Sequence, residues 1–104
     1  MTLLLAVLFS GIGVLSPIEA KSKTHTVNIE ALQFSPATVE VKSGDTVIWK
    51  NKDAFAHNVT AENKAFRSPD FQTAHSWKFK AGNKGAFPYI CTLHPTMKAV
   101  LIVK

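Results

Sequence analysis

Thr38-Val39-Glu40-Val41-Lys42-Ser43-Gly44-Asp45-Thr46-Val47-Ile48-Trp49-Lys50-Asn51 is the stretch that decides the fold class. Val39 and Val41 alternate with Thr38, Glu40 and Lys42, the two-residue period of a strand with one wet face. Ser43-Gly44-Asp45 is turn chemistry, and Thr46 to Lys50 resumes as a more apolar, β-branched and aromatic strand. Asn51-Lys52-Asp53 ends it. Upstream, Val27, Ile29 and Ala31 alternate with polar residues and predict a first strand over Thr24 to Glu30. Downstream, His57-Asn58-Val59-Thr60 reads as short and extended. Residues 61–70 are polar, broken by Pro69, and read as a loop with room for one helical turn. His75, Trp77 and Phe79 alternate with Ser76, Lys78 and Lys80. Gly82-Asn83-Lys84-Gly85 predicts a hairpin turn, Ala86 to Cys91 a strand, and Lys98 to Val103 the last strand. Seven to eight short strands without a helical period predict an all-β fold, an antiparallel Greek-key β-sandwich.

The 104 residues hold at most one domain. Residues 1–20 read as a secretory signal peptide. Leu3 to Leu15 is interrupted only by Ser10, Gly11 and Gly13, and Ser16-Pro17-Ile18-Glu19-Ala20 follows as a cleavage region. The n-region lacks Lys and Arg, and Ile18 stands where a small residue is usual. The apolar run is shorter than the roughly 20 residues of a membrane span. Cleavage after Ala20 leaves a domain over 21–104, and a periplasmic location is expected. That domain carries twelve basic and six acidic side chains, a net charge of +6; every basic residue but Arg67 is Lys. A scattered lysine surface suits encounter with acidic protein surfaces. There is no Arg cluster, helix-turn-helix pattern or RNA-binding aromatic motif, so nucleic acid is not expected as a partner.

Cys91 is the only cysteine. In an exported chain it has no internal disulfide partner and is open to oxidation, unless a metal or burial occupies it. Its neighbours favour the metal. Cys91-Thr92-Leu93-His94-Pro95-Thr96-Met97 places a thiol, an imidazole and a thioether at three-residue steps, and Met97 is the only Met beyond Met1. Each step is at most about 10 Å of extended chain, so one curved loop can bring all three to one ion. Pro95 limits the freedom of that loop. A thiolate, two imidazoles and a weak axial thioether form the ligand set of a blue-copper site. The second imidazole comes from elsewhere. His57 lies at a loop-to-strand junction, whereas its competitors His25 and His75 fall inside predicted strands.

Phe34-Ser35-Pro36, Val39 to Asn51, His57-Asn58-Val59, and Phe87-Pro88-Tyr89-Ile90 running into the Cys91–Met97 motif resemble the small cupredoxins of the plastocyanin, pseudoazurin and amicyanin group. The short C-x2-H-x2-M spacing is closest to amicyanin. The resemblance implies one copper ion cycling between Cu(II) and Cu(I). Its strong ligands would be His57, Cys91 and His94, and its weak axial ligand Met97. It implies Asn58 and Thr92 as residues that tie the two ligand-bearing segments together. His94 would stand at a surface apolar patch with Pro95 and with Phe55 or Leu93. Ala99, Ile90 and Ala56 depart from residues common in the family and touch the tuning of the potential.

The expectation is therefore an exported electron shuttle, not an enzyme. Its partners would be a redox donor and acceptor with acidic docking surfaces. It is expected to be a monomer, without stable membrane insertion after cleavage. A copper chaperone or storage protein is the alternative, although such proteins present more Met, His or Cys in an exposed cluster. A Cys91–His57 hydrolase would leave Met97 without a role and has little room for a cleft. A zinc site is disfavoured by the thioether.

Overall fold

A computed structural model describes residues 21–104; the expected leader over residues 1–20 lies outside the described residues. All regular elements among them are strands: β1 Thr24–Glu30, β2 Gln33–Ser35, β3 Thr38–Val41, β4 Thr46–Asn51, β5 Thr60–Ala61, β6 Ser76–Lys80, β7 Gly85–Cys91 and β8 His94–Val103. Two four-stranded sheets form, in the orders β2-β1-β4-β6 and β3-β8-β7-β5. No helix among the described residues is long and apolar enough to cross a membrane.

The alternation that marked the strands sets their buried faces. Val47, Trp49 and Asn51 of β4 point inward, as do Val39 and Val41 of β3 and Tyr89 and Cys91 of β7. Val27, Ile29, Val47, Trp49, Val59, Tyr89 and Leu101 are completely buried between the sheets. Full burial stabilises by about 1.5–3 kcal/mol for an aliphatic side chain of this size. Trp49 Nε1 donates to Tyr89 Oη at 3.1 Å, so a polar bond joins the sheets inside the apolar core.

Pairing is mixed rather than wholly antiparallel. β1 runs parallel to β4 and β3 parallel to β8, while the other pairs are antiparallel. The predicted hairpin at Gly82–Gly85 is instead a link between sheets, because β6 and β7 belong to different ones. Ser43–Asp45 likewise carries the chain from one sheet to the other. Residues 61–70 form no helix. β2, three residues long, escaped the sequence reading, and His75 precedes β6 rather than lying in it.

β8 also starts earlier than predicted, at His94. Ile90 pairs with Lys98, but Cys91 pairs with His94, so Pro95, Thr96 and Met97 bulge out of register. Pro95 therefore breaks no ladder bond with β7, and β3 joins β8 only at Val100.

Candidate metal centre

The centre lies at one end of the sandwich, where β4, β7 and β8 meet their loops. Cys91 ends β7 on its inward side and is fully buried. Thr92 and Leu93 turn the chain, and His94 opens β8 beside it. Met97, in the bulge, is directed inward and is 2% exposed.

His57 arrives from the β4–β5 connection. Its backbone N–H and C=O both bond to Phe71, at 3.1 and 2.8 Å. Asn51 organises the loop before it. Its Nδ2 donates to the carbonyls of Phe55 and Phe71, and its Oδ1 accepts from the Asp53 N–H. The Asp53 carboxylate lies 2.8 Å from His57 Nε2. An Nε2–H donated to that carboxylate leaves Nδ1 of His57 with its lone pair toward Cys91.

Asp53 has a second task. Ala31 and Leu32, which join β1 to β2, both have positive φ, 53° and 57°, without the Asn or Gly that such turns favour. Their N–H groups donate to the Asp53 carboxylate at 2.7 and 2.9 Å. Burial raises the pKa of Asp53, but the Leu32 N–H, the His57 ring and the Ala31 N–H outweigh it, and the net shift is downward. Sequence reading took Asn51 and Asp53 only as strand terminators. The one available signal was the four-residue step from Asp53 to His57.

The three candidate ligand atoms already face one another. Cys91 Sγ is 3.7 Å from His57 Nδ1 and 3.8 Å from His94 Nδ1, and all three lie within 4.8 Å of each other. With metal–sulfur and metal–nitrogen bonds of about 2.3 and 2.0 Å, the two sulfur–nitrogen separations would each subtend about 120° at an ion. A buried thiol with two imidazoles and a thioether on the same bulge fits copper better than zinc, for which a thioether is a poor ligand. His25 bonds to Asp45 at 2.9 Å, beside the start of β4 and at the opposite end. Neither His25 nor His75 joins the grouping.

Asn58 locks the two ligand-bearing segments together. Its Nδ2 donates to Thr92 Oγ1 at 2.7 Å and to Asp70 Oδ1 at 2.9 Å. Its Oδ1 accepts from the Thr92 N–H at 3.0 Å and from Thr60 Oγ1 at 2.9 Å. Its own N–H points at Cys91 Sγ, 3.4 Å away, a donor well placed for a thiolate.

His94 alone of the three reaches partial exposure. Phe55, 56% exposed, has its ring centroid 6.0 Å from that of His94, and Leu93 is 47% exposed. The apolar side chains expected beside His94 are therefore at the surface, and Leu93 is not core.

Comparison with known proteins agrees with this geometry. Residues 1–103 match the family described as the cupredoxin-like domain. Amicyanin-alpha of Methylorubrum extorquens is 31% identical over 91 residues, covering 83% of this chain and 76% of that protein. Amicyanin of Paracoccus versutus is 30% identical over 83 residues; the chain spans 63% of its length. A solved purple cupredoxin from Nitrosopumilus maritimus superposes with a TM-score of 0.72 at 26% identity, over 77% of this chain and 99% of that one.

Proposed function

The chain belongs to the cupredoxin-like domain family, and on that footing we propose that it is an exported, periplasmic blue-copper protein that shuttles single electrons between redox partners. Copper supplies the one-electron chemistry, alternating between Cu(II) and Cu(I). The observation that carries the reading is the buried Cys91–His57–His94 triangle opening on the Phe55–Leu93 surface through a single imidazole.

In this reading the Cys91 thiolate and Nδ1 of His57 and of His94 would hold the copper strongly. Met97 would hold the ion weakly through its thioether sulfur. Asp53 fixes the tautomer of His57, and the Asn58 N–H stabilises charge on the Cys91 sulfur. Val59, Tyr89 and the other buried apolar side chains keep water away from the thiolate. His94, half-buried between Phe55 and Leu93, is the edge through which the partner meets the site. The protein acts as a carrier and not as an enzyme.

The test is the visible spectrum after addition of Cu(II) under oxidising conditions. An intense thiolate-to-copper band near roughly 600 nm is expected, and Cys91→Ser abolishes it. A colourless copper complex would refute the electron-carrier reading and move a chaperone or storage role to first place.

A further inference from the structure

The chain holds two tryptophans and one tyrosine, Trp49, Trp77 and Tyr89, and all three lie in one contact series. Tyr89 and Cys91 occupy alternate inward positions of β7, about 7 Å apart along the strand. Trp49 reaches across from the other sheet. Its Nε1–H is donated to Tyr89 Oη at 3.1 Å, and the two ring centroids are 5.6 Å apart. Trp77 faces Trp49 in the β4–β6 pairing, with ring centroids 5.5 Å apart. Trp49 and Tyr89 are completely buried, whereas Trp77 is half-buried on β6. β6 is an edge strand, and its sheet carries neither Cys91 nor His94. The series therefore leads from the strand of the buried sulfur to the outer edge of the opposite sheet.

Indole and phenol give up one electron more readily than any other side-chain ring, because nitrogen or oxygen feeds charge into the ring. The rings packed around them lack that feature. Phe34 lies 4.8 Å from Tyr89, and Phe66 lies 6.3 Å from Trp49 and 6.1 Å from Tyr89. A positive charge on the series has no easier stop among these neighbours. Burial pushes the Tyr89 phenol up to about 12, with the Trp49 bond opposing, so it keeps its proton at neutral pH. Tyr89 is then a bridge rather than a resting place for the charge.

We propose that Trp77 and Trp49, bridged by Tyr89, form a second electron path, through which the Cys91 sulfur reduces a strong one-electron oxidant, such as an oxygen-centred radical, that meets the β6 edge. The oxidant takes one electron from the Trp77 indole. Trp49 refills Trp77, and Cys91 refills Trp49 through Tyr89. Without a metal, the Cys91 thiol loses one electron and its proton, which His57 Nδ1 at 3.7 Å or His94 Nδ1 at 3.8 Å accepts. With Cu(I) bound the loss would fall on the metal, Cu(I) to Cu(II), and no proton would move. In both cases the oxidant gains one electron and both indoles are restored. An indole yields its electron only to oxidants far stronger than the partners of a copper carrier. The path therefore serves protection of the domain rather than the shuttle.

The test uses the full chain without copper, so its outcome is independent of the copper-carrier reading. A photogenerated ruthenium(III) polypyridyl complex, made with an irreversible cobalt(III) quencher, is a one-electron oxidant too large to enter the core. Cys91 is fully buried, so the complex cannot touch it. In air an oxidised Cys91 takes up dissolved oxygen and ends as sulfinic or sulfonic acid, which peptide mass spectrometry reads. The wild-type chain should accumulate this product. Trp77→Leu should lose most of it. Phe79→Leu, at the half-buried ring stacked 5.9 Å from Trp77, should keep it, because the change removes packing but no indole. Cys91 oxidation that persists in Trp77→Leu would overturn the proposal. An equal loss in Phe79→Leu would do the same and reduce Trp77 to a packing residue, and so would a wild-type Cys91 that stays intact.

Discussion

Replacing Asn58 by Ala tests whether hydrogen bonds independent of the metal hold the centre together. The side-chain amide makes four bonds, to Thr92 twice, to Asp70 and to Thr60, and is almost wholly buried. At a net of about 1 kcal/mol each, their sum is about 4 kcal/mol. Thr92 and Asp70 are exposed and regain water when Asn58 is removed, which lowers the cost to about 2–3 kcal/mol. For a domain of this size that is a fall in Tm of roughly 10–20 °C. The assay is thermal unfolding of the copper-free protein, so that metal linkage does not enter. A double-mutant cycle with Thr92→Val isolates the Asn58 Nδ2–Thr92 Oγ1 bond and should return a coupling of about 1 kcal/mol. A loss below about 0.5 kcal/mol for Asn58→Ala, or additivity within about 0.3 kcal/mol, would refute the reasoning.

Asp53→Ala removes the acceptor of the Ala31 and Leu32 N–H groups and of His57 Nε2; unfolding of the copper-free variant should show a loss of about 2–4 kcal/mol, and copper titration a weaker site. Tyr89, the only tyrosine, is pushed up to about 12 by burial, partly offset by the Trp49 bond, against an ordinary value of 10.0. Its ionisation near 295 nm should therefore be absent from the folded protein at pH 10, and a midpoint there would show an open core. Asp45 is held down to about 2, against 3.8, by the Lys42 N–H first, then the Lys23 N–H and His25, with burial opposing. A depressed carboxylate stabilises fully above about pH 4 and loses that contribution as pH falls toward 2, so Asp45→Asn should flatten the acid limb of the Tm–pH curve. Chelation of copper should lower Tm yet leave the far-ultraviolet spectrum of the strands intact; collapse to an unfolded spectrum would make the metal a folding element.

The candidate ligands were legible because their chemistry is rare. One thiol, one thioether and a histidine at three-residue steps seldom coincide except around a soft metal ion, and His57 stood at a junction rather than in a strand. The strands were legible because Val39–Val41 and Val47–Trp49 alternate. Alternation reports which side chains are buried; it does not report which strand lies alongside or in which direction. The parallel pairing of β1 with β4 therefore left no mark, and Gly82–Gly85 looked like a hairpin although it changes sheets. The early start of β8 was hidden by Pro95, which argues against a strand unless a bulge releases it from the ladder. Asn51 and Asp53 were hidden because their work is done by side chains on backbone groups of distant loops, and such bonds have no sequence period.

These two residues bear on why the centre suits electron transfer. A carrier loses rate if its ligands must move between oxidation states. Here His57 is fixed by Asp53 and by the Phe71 backbone, and Cys91 sits at a strand end under the Asn58 N–H. Asn58 then joins those two segments through Thr92. None of these bonds uses the metal, so the frame resists the rearrangement that copper itself would favour when its charge changes. His94 is the candidate ligand outside this frame, held between the Phe55 ring and the β8 bulge at the edge of solvent. The division follows from topology. A site buried by strands has one side where a loop must return, and the side chain on that return, His94, is the one left at the edge of solvent.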